Sequence, residues 1–241
     1  MIIRTKGIVL SHFPYKESSI ICKIFTEELG VESFIIHNVR SKKNNLNVIF
    51  LQPLNLVDLD IYHKPKASLH RIKEHRTIFP FHSIPFNQNK RAITFFLTEA
   101  IEKCLKEEQP NREIFAFLTK AIELFDSQEQ QIENFHLFIL FTLTKFLGFF
   151  PHPPENENEL YFDLLNGKYV ASQPHHNHYL NPSATKAWLE VSEKGNELLA
   201  NFKIDRTQRS EILANLLEYY KLHIPEFGTL KTVDILHQIF K

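Results

Sequence analysis

Through the first 80 residues apolar side chains recur at every second position, and beyond them the spacing shifts to three and four. The first part holds five runs rich in β-branched and aromatic residues, each bounded by Gly, Pro or Asn, and this predicts strands. They cover residues 7–13, 20–25, 31–36, 52–62 and 69–79. Pro14 ends the first, and Glu27-Glu28-Leu29-Gly30 turns the second into the third. In the fourth, Leu59 and Ile61 alternate with Asp58 and Asp60, so the apolar pair points inward and the acidic pair to solvent. No helical period interrupts the runs.

From Pro80 and Pro85 onward the pattern is helical. A helix capped by Asn87 or Asn89 carries Ile93, Phe96, Leu97, Ala100, Ile101 and Cys104 on one face. Gln109-Pro110-Asn111 ends it and begins a second helix with Ile114, Phe115, Leu118 and Phe125. A third starts after Ser127 or Gln130 and is apolar almost all round from Phe135 to Leu147, so it is the centre of a bundle. Gly148 and Pro151 stop it. Residues 151–182 turn polar, and Asn166-Gly167 between two β-prone runs predicts one small hairpin. Helices resume at Ser183 or Ala184, again after a cap at Asp205, and finally after Thr229.

Five strands in about 75 residues predict a small closed barrel, and the OB-fold is the five-stranded barrel that binds single strands. The class is α+β: an N-terminal five-stranded OB-fold barrel at 1–80, then an α-helical domain at 81–241 with a hairpin inserted at about 151–182. The chain has 241 residues, 22 Phe and only 6 Gly, which favours aromatic-packed helices and leaves little material for glycine-rich phosphate loops. Net charge is zero, so there is no general attraction to polyanions. Its distribution is uneven: residues 1–80 hold 12 Lys and Arg against 7 Asp and Glu, while 151–241 hold 9 against 12, which places the positive field on the barrel. Cys22 and Cys104 sit in apolar runs and read as buried thiols, which suits a reducing compartment. The amino terminus has no apolar leader and no apolar run is long enough to span a membrane, so a cytoplasmic protein is expected.

Single strands are held by a basic groove with aromatic platforms. The basic candidates are Lys6, Lys16, Lys23, Arg40, Lys42, Lys43, Lys64, Lys66, Arg71 and Lys73, and the aromatic ones are Phe13, Tyr15, Phe34 and Tyr62. Each aromatic has core packing as its competing role. Tyr15, between Pro14 and Lys16, is the one most expected at the surface.

Gly7-Ile8-Val9-Leu10, Glu17-Ser18, Phe25-Thr26-Glu27, Gly30, the basic loop at 40–45, Gln52-Pro53 and the Leu59 to Tyr62 ending recur in an order that resembles the amino-terminal barrel of the RecO family of recombination mediators. The resemblance implies a non-enzymatic DNA repair protein. Such a protein binds single- and double-stranded DNA, anneals complementary strands, and helps RecA displace single-strand-binding protein, together with RecR. It also implies a basic, hydrophobic site on the helical domain for the acidic, Phe-ended tail of single-strand-binding protein. The central helix offers only Lys145, which moves the cations of that site to Lys120, Arg206 or Arg209. Many members hold a four-cysteine zinc module before the last helices. Residues 151–182 contain no cysteine, so the hairpin is expected to be a metal-free, degenerate remnant without a cofactor.

Catalytic signatures are absent: there is no phosphate loop and no Gly-x-Ser-x-Gly. His175-His176-Asn177-His178 is the sharpest local cluster and would be the seat of a metal-dependent hydrolase, the weakest reading. The competing reading of another class is an adaptor that binds proteins and has little DNA affinity, which near-zero net charge motivates.

Overall fold

A computed structural model describes residues 1–17, 19–37, 50–64, 67–105, 109–130, 132–194 and 204–239. The chain forms two compact units, Met1–Gln128 and Glu129–Lys241.

The first unit opens with strands β1 (Ile2–Tyr15), β2 (Ser19–Thr26), β3 (Gly30–Ile36), β4 (Leu56–Tyr62) and β5 (His70–Phe79). They close into a barrel in the order β1-β2-β3-β5-β4, antiparallel except for β3 beside β5. This is the OB-fold that the strand count predicts. β1 achieves closure by pairing twice, with β4 from Ile2 to Ile8 and with β2 from Gly7 to Tyr15. A register shift between Val9 and Ser11 bends it from one neighbour to the other. The strand therefore starts five residues before the expected one and runs through Pro14. Pro14 is tolerated because β1 pairs there with β2 alone, on one edge. Val9, Ile24, Phe34, Val57, Leu59 and Ile61 fill the interior and are fully buried. Leu59 and Ile61 thus point inward as their alternation requires, and Asp58 and Asp60 are half-buried on the outer face. Phe34 belongs to this core and offers no stacking surface.

Two helices complete the unit. α1 (Gln88–Cys104) is capped by Asn87, whose side-chain oxygen accepts from the Asn89 and Lys90 amides. α2 (Arg112–Ser127) is capped by Asn111. Phe115 of α2 packs on Phe25 of β2, with ring centroids 5.6 Å apart. The segment leaving β5 is fixed by Asp126, whose carboxylate accepts from the His82, Ser83 and Ile84 amides at 2.7, 2.9 and 2.8 Å. Beneath it the buried Lys90 ammonium donates to the Ser83 hydroxyl and the Asp126 carbonyl, at 2.6 and 2.9 Å.

In the second unit a 3₁₀ turn (Ile132–Asn134) leads into α3 (Phe135–Leu147). α3 is buried from Phe135 through Phe141 and stops at Gly148, which takes the left-handed conformation at φ 85°. Strands β6 (Tyr161–Asp163), β7 (Lys168–Val170) and β8 (Tyr179–Leu180) form a sheet in the order β7-β6-β8. The expected hairpin is therefore one part of a three-stranded sheet. Its loop is four residues, because the Asp163 carboxylate holds the Leu165 and Asn166 amides and its carbonyl accepts from Gly167. α4 (Pro182–Lys194) begins earlier than expected: Asn181 is its cap, accepting from the Ala184 amide, and Pro182 takes the first turn. α5 (Arg206–His223) is capped by Asp205 as predicted. α6 (Val233–Ile239) starts after Thr232 rather than Thr229, with the Leu236 amide donating to the Thr232 carbonyl. Trp188 packs among Phe141, Phe162 and Tyr219, joining α3, β6, α4 and α5.

Candidate nucleic-acid interface

Cross-strand register sets the outer surface of the barrel. Phe13 pairs with Ile21, Ile21 with Ile35, Ile35 with Arg71, Arg71 with Tyr62, and Tyr62 with Ile2. These six residues form one rung that crosses all five strands and meets β1 again at the opposite end of that strand. Their inward neighbours Cys22, Phe34 and Ile61 are fully buried, so the rung itself faces out. Ile2 is 52% exposed, and Phe13 and Tyr62 are each 46% exposed. Aromatic rings exposed on a barrel wall are available to stack on a flat ligand.

The cations divide into three groups. Lys64 and Arg71 lie near the Tyr62–Ile2 end of this rung, and Lys16 lies beyond its Phe13 end. Lys16 follows β1 in a left-handed turn, at φ 53°, and its ammonium stands 5.3 Å from the Tyr15 ring centre. Lys64 follows β4, and Arg71 lies in the rung. Lys73 is exposed one step along β5, with its ammonium 3.8 Å from Glu74.

Lys6 and Lys23 point elsewhere. The Lys23 ammonium sits 3.0 Å from Glu102 of α1, and Lys6 stands opposite Asp58 in the β1–β4 ladder. Arg40, Lys42, Lys43 and Lys66 lie outside the described residues.

Two arginines outside the sequence-derived set converge on one carboxylate. Arg4 grips Asp58 with two nitrogens, Nε to Oδ1 at 3.2 Å and Nη2 to Oδ2 at 2.6 Å, and Arg76 Nη2 reaches the same Oδ2 at 2.8 Å. The bond from Arg4 is the main reason that the Asp58 carboxyl lies below the usual range; burial opposes it and Arg76 reinforces it. Neighbouring rungs read Lys6–Asp58–Arg76 and Arg4–Asp60–Glu74. Charge on this part of the wall is balanced locally. Its only sequence signal is the two-residue period of three separate strands.

The histidines of the cluster pair with separate carboxylates, while the His176 and His178 rings stay 6.1 Å apart. His176 lies 3.3 Å from Asp163 and His178 2.8 Å from Glu218, while His175 is exposed. Among the described residues no three His, Cys, Asp or Glu side chains are arranged to hold a metal ion, and the donors do not fit a structural zinc. Of the cations considered for a peptide tail, Arg206 and Arg209 line one cleft of the second unit, with Leu213 and Leu236. Lys120 is exposed on α2 in the first unit.

Models of the family matching this arrangement cover nearly the whole chain. Recombination protein O N terminal matches residues 1–81 and Recombination protein O C terminal matches 85–231. The chain belongs to the RecO family. Proteins called DNA repair protein RecO are similar along their full length: that of Bacteroides fragilis is 36% identical over 241 residues, covering all of both chains. Those of Phocaeicola vulgatus and Flavobacterium psychrophilum are each 32% identical, again with complete coverage of both chains. Among the described residues no helix is long and apolar enough to cross a membrane.

Proposed function

We propose that this RecO-family chain is a non-enzymatic recombination mediator. It binds single- and double-stranded DNA on the barrel wall that the rung crosses, with Lys16, Lys64 and Arg71 along it and the basic loop of Arg40, Lys42 and Lys43 as the main phosphate contact. It anneals complementary strands and assists RecA loading onto DNA coated by single-strand-binding protein, with RecR as partner. In this reading residues 1–80 carry the nucleic-acid surface and 81–241 the protein contacts. The rung Phe13–Ile21–Ile35–Arg71–Tyr62–Ile2 carries the proposal, because it puts exposed aromatics beside cations on an OB barrel. Annealing asks only that two phosphate backbones be neutralised together while bases stay accessible, so no nucleotide hydrolysis is required. The cleft of Arg206, Arg209, Leu213 and Leu236 supplies the cations and apolar wall for the tail of single-strand-binding protein.

The test is DNA binding as a function of salt. Each phosphate contact adds a slope of about −0.7 in log K against log salt for single strands. Changing Arg40, Lys42 and Lys43 together to Glu flattens that slope by roughly two units and weakens binding for every base sequence. Wild-type slope and affinity in this variant move the site off the loop. If the unmodified protein has no affinity at low salt, the adaptor reading takes its place.

A further inference from the structure

The wall that carries the rung encloses a buried polar pair. β3 and β5 close the barrel through two residue pairs, Phe34 with His70 and Ile35 with Arg71, while the other neighbouring strands join through seven pairs or more. Glu32 stands two positions before the inward Phe34, so it shares the inner face of β3. His70 lies opposite Phe34 and faces in with it. Glu32 is 7% exposed and His70 3%. Across the seam the His70 Nε2 lies 3.2 Å from the Glu32 Oε2. The His63 ring stacks on His70, with centroids 5.0 Å apart. Two backbone bonds hold His63 there: its amide donates to the Met1 carbonyl at 2.9 Å, and its carbonyl accepts from the Met1 ammonium at 3.2 Å.

A carboxylate inside an apolar barrel is costly unless its partner is cationic. Glu32 therefore calls for a proton on His70. The other titratable groups nearby do not take over that role. Cys22 of β2 stands opposite Phe34, and burial pushes its thiol up to about 12, so it is neutral. His12 of β1 pairs with Cys22 and is exposed. Further along β5, His75 stacks on Phe50 at 4.1 Å, and burial holds its ring below the ordinary range. On the outside the same backbone carries the rung: His70 precedes Arg71, His63 follows Tyr62, and Arg71 pairs with Tyr62. The other partner of Arg71 is Ile35, so the place of Arg71 depends on the short β3–β5 ladder.

We propose that Glu32 and His70 are positioning residues for the rung: their ion pair closes the β3–β5 seam and thereby sets Arg71 beside Tyr62. The pair holds while His70 keeps its proton. A histidine that gains a carboxylate partner keeps its proton to a higher pH than in the unfolded chain, so the seam is firm below that pH and loosens as pH rises through it. The consequence for DNA rests on the rung as the binding surface, whereas the seam itself is read without DNA.

The experiment follows the histidine ring nitrogens and backbone amides of the full, isotope-labelled chain by NMR as pH is raised. The His70 ring is protonated at about pH 7.5, where an ordinary histidine is neutral. As it loses its proton, the amides of Phe34, Ile35, Tyr62 and Arg71 shift with the same midpoint. Glu32→Gln keeps the shape of the side chain, lowers the midpoint by about one unit or more and moves the amide shifts with it. Affinity of the unmodified chain for a single strand falls about threefold or more along the same curve. The proposal fails if His70 is neutral at about pH 7.5, if the Tyr62 and Arg71 amides do not follow its midpoint, or if Glu32→Gln leaves that midpoint in place. The first two readings need no variant, so they decide the matter even where Glu32→Gln does not fold. Amides that follow the midpoint while affinity stays flat support the seam and overturn the rung as the DNA surface instead.

Discussion

Gly30 occupies a position that only glycine fills without strain. Its φ is +80°, and a Cβ there would come within 2.6 Å of the Gln109 backbone, which cannot move like a side chain. Gly30→Ala lowers stability by about 1–3 kcal/mol, read as a lower urea midpoint at unchanged m. His136 makes a different prediction. Burial, and then the positive charges of Arg209 and His237, push its imidazole down to about 3. The unfolded chain takes up that proton below an ordinary value of about 6.5. A depressed folded value means the contribution is present above that pH and is lost as pH falls from about 6.5 toward 3. Stability measured in urea at pH 7 and pH 5 therefore drops, and His136→Gln removes part of the drop. An identical drop in the variant would show that His136 is not the titrating group. Some residue roles were legible in the sequence: Asp205 and one of the pair Asn87 and Asn89 cap helices as short polar groups before apolar periods do, whereas Asn111 read only as part of a break. Asn181 was not, because Pro182 reads as a breaker unless the helix is known to start on it.

The same contrast holds for whole elements. Leu59 and Ile61 against Asp58 and Asp60 give β4 its faces directly, and the apolar girth of α3 marks it as buried. The C-terminal end of β1 was underestimated because Pro14 stops a strand only where both edges are paired, and edge pairing is a property of the barrel. β8 has two residues, too few to show a period. The linker after β5 depends on one carboxylate. Burial raises the Asp126 carboxyl, but the amides of His82, Ile84 and Ser83 outweigh it and hold the group below the usual carboxylate range. Asp126→Ala leaves three amides without an acceptor and costs about 3 kcal/mol or more. Thermal unfolding of the variant checks this. A loss under about 1 kcal/mol would mean that water replaces the carboxylate.

For the molecule as a whole, the family was legible from the order of short motifs, while the surface proposed to bind DNA was not. Ile2, Phe13, Ile21, Ile35, Tyr62 and Arg71 spread over 70 positions and come together only through the register of five strands. Sequence reading singled out Tyr15, which is half-buried under Lys16, whereas Phe13 and Tyr62 are the more exposed rings. If unpaired bases stack on the rung, Phe13→Ala with Tyr62→Ala removes two platforms, each worth about 1–3 kcal/mol per base. Affinity for a single strand then falls at least about tenfold. Duplex affinity changes little, because paired bases are not available to stack. The salt slope stays at its wild-type value, since no phosphate contact is lost, and this separates the double variant from the charge-reversed loop. Filter binding of both DNA forms at two salt concentrations reads all three quantities. Equal losses for single strand and duplex would point to distortion of the barrel, and an unchanged single-strand affinity would leave the cations alone to account for binding.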